Sequence, residues 1–121
     1  MTEILAIDDD KNLLRVMKSL LQLKGFHVSI FRNWEIAYKI MKYLKPQLIL
    51  LDVFLEGIDG LEVCQRLKAS PFTRHIPIIL CSGYPKIAQS GIRDYGAADF
   101  IAKPFELDDL INKMRSVLLR K

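Results

Sequence analysis

Long hydrophobic runs are missing from this chain. No apolar stretch approaches the roughly 20 residues needed to cross a bilayer, and the opening MTEILAIDDD has no basic segment followed by a long apolar one. The expectation is a cytoplasmic protein with neither a membrane span nor a signal peptide. Cysteine is scarce: Cys64 and Cys81 stand far apart, outside any CxxC or Cys/His ligand spacing, so neither a zinc site nor a redox motif is indicated. Both lie inside apolar stretches and read as small buried residues. Basic runs are absent as well. The 18 Lys and Arg outnumber 14 Asp and Glu for a net charge of +4, but no five or six adjoin, so direct nucleic-acid binding is not expected. No linker, internal repeat or low-complexity segment interrupts the chain.

What is present has the composition of one globular domain. The 121 residues are 50% apolar and 26% charged, enough for one core and too few for two, so residues 1–121 read as a single domain. Five short runs, at residues 4–7, 28–31, 48–51, 78–81 and 100–102, are rich in Ile, Leu, Val and Phe. Continuous apolarity rather than alternation marks strands covered on both faces.

Helical patterns lie between these runs. Leu13, Leu14, Met17, Leu20 and Leu21 form one apolar stripe, which Gly25 ends. Ile36, Ala37, Ile40, Met41 and Leu44 form another, capped by Asn33 and closed by Pro46. A shorter helix is predicted over 61–69, stopped by Ser70-Pro71. The next, over 86–95, carries Gly91 in its interior at a cost of about 0.5–1 kcal/mol and is expected to be the weakest. The last has Leu107, Leu110, Ile111, Met114, Val117 and Leu118 on one stripe, with Asp108 and Asp109 in its first turn, where the helix dipole favours them.

Five strands alternating with five helices through short connections predict an α/β fold, a (βα)₅ domain with a parallel sheet and helices on both faces. In such sheets ligands bind beyond the carboxyl ends of the strands. Four of the five runs lead there into polar residues: Asp8-Asp9, Asp52, Ser82 and Lys103-Pro104. Residues spread over about a hundred positions are therefore expected to meet in one pocket.

Three carboxylates in one pocket repel each other, and a hard divalent cation is the natural way to keep them ionised. Mg²⁺ suits an all-oxygen site in which water completes the six ligands. With the Lys103 ammonium nearby, the pocket is suited to a dianionic phosphoryl group. A carboxylate can also attack phosphorus to give an aspartyl phosphate. Asp52, alone at its strand end, is the better nucleophile; Lys103 and the Ser82 hydroxyl would neutralise charge on the equatorial oxygens.

The segments ILAIDDD, LILLDVFLEGIDGLEV, IPIILCSG and GAADFIAKPF, in this order and spacing, resemble the receiver domains of bacterial two-component response regulators, and the resemblance organises nearly the whole chain. It implies a flavodoxin-like sheet of order 2-1-3-4-5. It also makes Asp52 the phosphoacceptor, and Mg²⁺ or Mn²⁺ the cofactor, held by Asp8, Asp9, Asp52 and the main-chain carbonyl of Phe54. Asp9 would bind the metal directly and Asp8 through water. Ser82 matches the switch hydroxyl, Phe100 the aromatic switch position, and Lys103 the lysine whose bond to Pro104 is cis. The implied partners are a sensor histidine kinase or phosphotransfer protein and a downstream effector domain or protein, with the fourth helix, fifth strand and fifth helix as the output face. No membrane partner and no turnover activity are implied beyond assistance to the domain's own phosphorylation and dephosphorylation. Phe54 and Tyr84 depart from the commoner pattern, in which these positions are often polar or charged, and are expected to shield the acyl phosphate from water.

Two other functions compete. A phosphatase or phosphotransferase of the haloacid-dehalogenase type would also form an aspartyl phosphate, but it places a second acid two residues after the nucleophile, where this chain has Phe54. A receiver-like binding module that never becomes phosphorylated would not need the full acidic, hydroxyl and lysine set. Other polar residues read more simply: Asp10 as a helix cap, His27 and His75 as solvated surface histidines, Trp34 and Tyr38 as helix-packing residues.

Overall fold

The computed structural model describes residues 2–120. The five apolar runs form a parallel sheet of β1 (Thr2–Ile7), β2 (Phe26–Phe31), β3 (Leu48–Asp52), β6 (Ile78–Ser82) and β7 (Asp99–Ala102). Its strand order is β2-β1-β3-β6-β7, which over these five strands is the 2-1-3-4-5 order. Between them lie α1 (Lys11–Leu23), α2 (Trp34–Leu44), α3 (Gly60–Ala69), α4 (Pro85–Tyr95) and α5 (Leu107–Leu119).

The runs lack alternation because both faces of the sheet are covered. Leu5, Ile7, Ile49, Leu51, Ile78 and Leu80 point to one side and pack with Ala37, Met41, Leu67 and Ala88 of α2, α3 and α4. Their neighbours Ile4, Ala6, Leu48, Leu50, Ile79 and Cys81 point to the other and pack with Leu14, Met17, Leu21, Leu110 and Met114 of α1 and α5. Strand parity thus decides which helical layer a side chain meets.

Local chemistry sets the boundaries. Asp10 and Asn33 cap α1 and α2, their side-chain oxygens accepting from the main-chain N–H of Leu13 and Ile36. The fourth helix takes Pro85 at its start and ends at Gly96 in the left-handed region, φ 84°. Gly91, expected only to weaken α4, has a packing reason: a Cβ there would lie 2.1 Å from Leu80 Cδ1, so its absence lets α4 sit close on β6.

One element was not anticipated. After β3 the chain makes a small antiparallel hairpin, β4 (Phe54–Leu55) with β5 (Ile58–Asp59), turning through Glu56 and Gly57 at φ 78°. His27 also differs from expectation: it is exposed but has a partner, with Nδ1 2.6 Å from Glu3 Oε1 on the adjacent strand.

Candidate functional site

The carboxyl ends of β1, β3, β6 and β7 carry Asp8, Asp52, Ser82 and Lys103 on one rim of the sheet. Register aligns them: Ile7 pairs with Leu51, Asp52 with Cys81, and Ser82 with Ala102. Asp8, Asp52 and Lys103 share the parity of Ala6, Leu50 and Ile101, which face α1 and α5, so alternation aims all three to one side.

They meet there. Lys103 Nζ lies 2.6 Å from Asp8 Oδ2, to which it donates a hydrogen bond, and 3.4 Å from Asp52 Oδ1. Asp8 and Asp52 are 5% and 8% exposed, and a buried carboxylate without compensation is expensive. Asp8 is held further by its Oδ1, which accepts from the main-chain N–H of Asp10 at 2.9 Å. The Lys103–Pro104 peptide bond is cis.

Electrostatics mark Asp52 as the strained member. Burial first, and then the negative charge of Asp8, push its carboxyl up to about 6, against the opposing pull of Lys103. Burial alone would lower the Lys103 ammonium, but the hydrogen bond and charge of Asp8 and the charge of Asp52 outweigh it and hold the group above its ordinary value. With both carboxylates ionised, one ammonium does not balance them.

Asp9 and Ser82 stand beside this triad rather than within it. Asp9 is half-buried, and its main-chain carbonyl accepts from Arg32 Nε at 3.1 Å. The Ser82 hydroxyl is buried and occupied by a turn, accepting from the Tyr84 main-chain N–H at 2.8 Å and donating to the Tyr84 carbonyl at 3.3 Å. Phe100 is half-buried on the edge strand β7, with Lys113 Nζ of α5 5.4 Å from its ring centre. The same ammonium lies 3.3 Å from Asp99 Oδ1. The exposed rings of Phe54 and Tyr84 meet edge-on with centroids 5.1 Å apart.

The donor chemistry fits a hard divalent cation: Asp8, Asp9 and Asp52 offer only carboxylate oxygens, and the local charge is negative after Lys103 is counted. Among the described residues, no three His, Cys, Asp or Glu side chains are gathered tightly enough to hold a metal ion as they stand. Lys103 bridges the two buried acids instead. The cysteines add no reactivity, since burial pushes the Cys64 thiol up to about 11 and that of Cys81 to about 12.

Sequence reasoning missed the β4–β5 hairpin. It also missed Gly60, whose N–H donates to the Val53 carbonyl at 2.6 Å and which admits the start of α3 against the chain just after Asp52. The signal for the hairpin was the Glu56-Gly57 turn between Phe54-Leu55 and Ile58.

The sequence profile of the response regulator receiver domain matches residues 4–115. Over its full length the chain is 34% identical to the response regulator ArlR of Staphylococcus saprophyticus, covering 54% of that protein. It is 33% identical over 99% of its length to the DNA-binding dual master transcriptional regulator RpaA of a Synechocystis species, covering 50%. The chain therefore spans about half the length of these curated relatives. Among solved structures, a putative response regulator from Chloroflexus aurantiacus superposes with a TM-score of 0.90 at 30% identity, with 98% of each chain covered. The receiver domain of a Syntrophus aciditrophicus signal transduction histidine kinase gives 0.85 at 30% identity, covering 98% of this chain and 90% of that one. The chemotaxis protein CheY4 of Vibrio cholerae, at 23% identity and TM-score 0.88 over 97% and 98% of the two chains, shares the fold. A chain with this profile match and this fold belongs to the response regulator receiver domain family.

Proposed function

We propose that this domain is a phosphorylation switch in which Asp52 accepts a phosphoryl group from the phosphohistidine of a sensor histidine kinase or phosphotransfer protein. The observation that carries this reading is the sharing of one ammonium, that of Lys103, by two buried carboxylates at the carboxyl rim of a receiver sheet. A carboxylate oxygen of Asp52 attacks phosphorus. The bond from phosphorus to the donor imidazole breaks, an acyl phosphate forms, and the imidazole leaves with a proton from solvent.

Asp8, Asp9, Asp52 and the Phe54 carbonyl would hold Mg²⁺ or Mn²⁺, with Asp9 as a direct ligand and Asp8 acting through water. When bound, the cation supplies positive charge against the transferring phosphoryl oxygens. Lys103 is already in reach of Asp52 and donates to one of those oxygens. The Ser82 hydroxyl exchanges its turn contacts with Tyr84 for a phosphoryl oxygen, and Phe100 follows toward the space it leaves. The result is a population shift on the face of α4, β7 and α5, where a downstream effector domain or protein reads it. Response regulators pair with histidine kinases and effectors in this way, and the domain acts as a switch rather than a turnover enzyme.

The test is incubation with acetyl phosphate in Mg²⁺ or in EDTA, followed by intact-protein mass spectrometry. A phosphoryl adduct that requires the cation and is lost in Asp52→Ala is the expected result. Rapid turnover without a lasting adduct would point to a phosphatase, and no adduct at all to an unphosphorylated binding module.

Phe54 and Tyr84 set the lifetime of that adduct by shielding the acyl phosphate. Replacing them with Asn and Glu should shorten it several-fold, as timed by loss of the adduct mass. An unchanged or longer lifetime contradicts the shielding role.

A further inference from the structure

At the opposite, amino-terminal rim of the sheet two adjoining cavities share Lys45, His75 and Ile76. The larger, of about 410 Å³, has Met41 and Ile76 as an apolar floor and Lys42, Lys45, Phe72 and His75 as walls. The other, of about 310 Å³, runs to Arg120 just past α5. Among the described residues, no Asp or Glu lines either cavity. Glu3, whose main chain bonds to Gln47 at this rim, turns its carboxylate to His27 instead.

One of these cations, Lys42, is held in place. Lys42 Nζ sits 5.8 Å from the Tyr38 ring centre and 5.0 Å from that of Phe72, contacts that fix the ammonium while leaving its N–H donors open. Lys45 caps α2 in the left-handed region, φ 48°, a conformation that usually selects Gly or Asn.

We propose that this groove binds an acidic peptide segment of a partner protein, with one apolar side chain seated over Met41 and Ile76 and carboxylates on either side of it paired with Lys42, Lys45 and Arg120. Charge complementarity identifies the occupant: Lys42 and Lys45 flank the apolar notch, Arg120 lies on the adjoining cavity with Nη1 donating to the Ala98 carbonyl at 3.1 Å, and among the described residues no acid lines either. The notch has the size of one or two side chains. An anionic membrane is the poorer match, because membrane binding requires several apolar side chains that project into the lipid, whereas Phe72, 62% exposed, is the one projecting apolar wall of the notch and Met41 and Ile76 lie recessed at 2% exposed. The groove lies away from Asp52, so an occupant does not block phosphoryl transfer.

The test uses the whole ¹⁵N-labelled chain and a blocked hexapeptide with leucine and phenylalanine between paired glutamates. Amide shifts should cluster in residues 41–47, 72–76 and 117–120, weaken with salt, and require about tenfold more peptide in the double variant Lys42→Glu, Lys45→Glu. Both positions are exposed, and an unchanged amide spectrum elsewhere in the variant establishes that it is folded. Equal binding of a control peptide with lysines in place of the glutamates overturns the proposal. So do shifts elsewhere, no shifts, or sedimentation with phosphatidylglycerol vesicles without peptide binding.

Discussion

The two ends of β3 stand in opposite relations to water. At the amino end, Lys45 and Gln47 are exposed around a buried Pro46, with Gln47 Oε1 accepting from the Glu3 main-chain N–H at 3.0 Å. At the carboxyl end, Asp52 is buried beside Asp8, and one ammonium serves both. The four residues between, Leu48, Ile49, Leu50 and Leu51, are wholly buried and make the fold secure from either side. Burying ionised groups opposes folding, and a buried ion pair is weak evidence for stability. The contrast teaches that the carboxyl rim is arranged for chemistry at some cost in stability, whereas the amino rim is an ordinary solvated edge with a cationic groove.

The comparison breaks most visibly at Gly60. A Cβ there would lie 2.2 Å from the Asp52 carbonyl oxygen and 2.6 Å from Val53 Cα, all main chain that no rotamer change can clear. Gly60→Ala should cost about 3 kcal/mol in urea unfolding, at the upper end of overpacking effects. A loss below about 1 kcal/mol would mean that the chain after Asp52 yields easily and that the rim is not rigidly held.

Next in size is Asp52→Asn, measured in EDTA. The folded protein holds a proton on Asp52 more tightly than the unfolded chain does, with the carboxyl at about 6 against an ordinary 3.8. The stability from this group is fully present below 3.8 and is lost as pH rises through about 6. At pH 7 the Asn variant should therefore be more stable than the parent by up to about 3 kcal/mol, less the cost of its lost contact with Lys103, the advantage fading below pH 4. An Asn variant that is less stable at pH 7 would deny the cost ascribed to this rim.

The smallest effect belongs to the other end. Lys45→Gly relieves a side-chain-bearing residue at φ 48° but loosens the unfolded chain, so thermal unfolding should register a gain of about 0.5 kcal/mol. A loss above about 1 kcal/mol would show that Lys45 makes stabilising contacts and that the amino rim is more than a solvated edge.

The architecture was legible because the central strands are apolar on both faces and each helix carries one stripe, signals that survive without tertiary knowledge. The caps Asp10 and Asn33 were legible for the same reason, since a cap is a local bond. The β4–β5 hairpin was not, because strands of two residues have no period to read. For Gly91 the cost was readable and the benefit was not, since Leu80 comes to it from another element. The pairing of Glu3 with His27 depends on strand register, which the sequence does not print. At the site, the convergence of Asp8, Asp52 and Lys103 followed from strand ends alone. The engagement of Ser82 with its own turn, and the bridging of both acids by Lys103, required side-chain geometry.

Which carboxylate takes the phosphoryl group is the decisive question for this site. Borohydride reduction of the acetyl-phosphate-treated protein converts an aspartyl phosphate to homoserine, which peptide sequencing by mass spectrometry locates. Homoserine at position 52 alone, formed in Mg²⁺ and not in EDTA, is the result predicted. Homoserine at position 8 or 9, or label that forms equally without the cation, would contradict it.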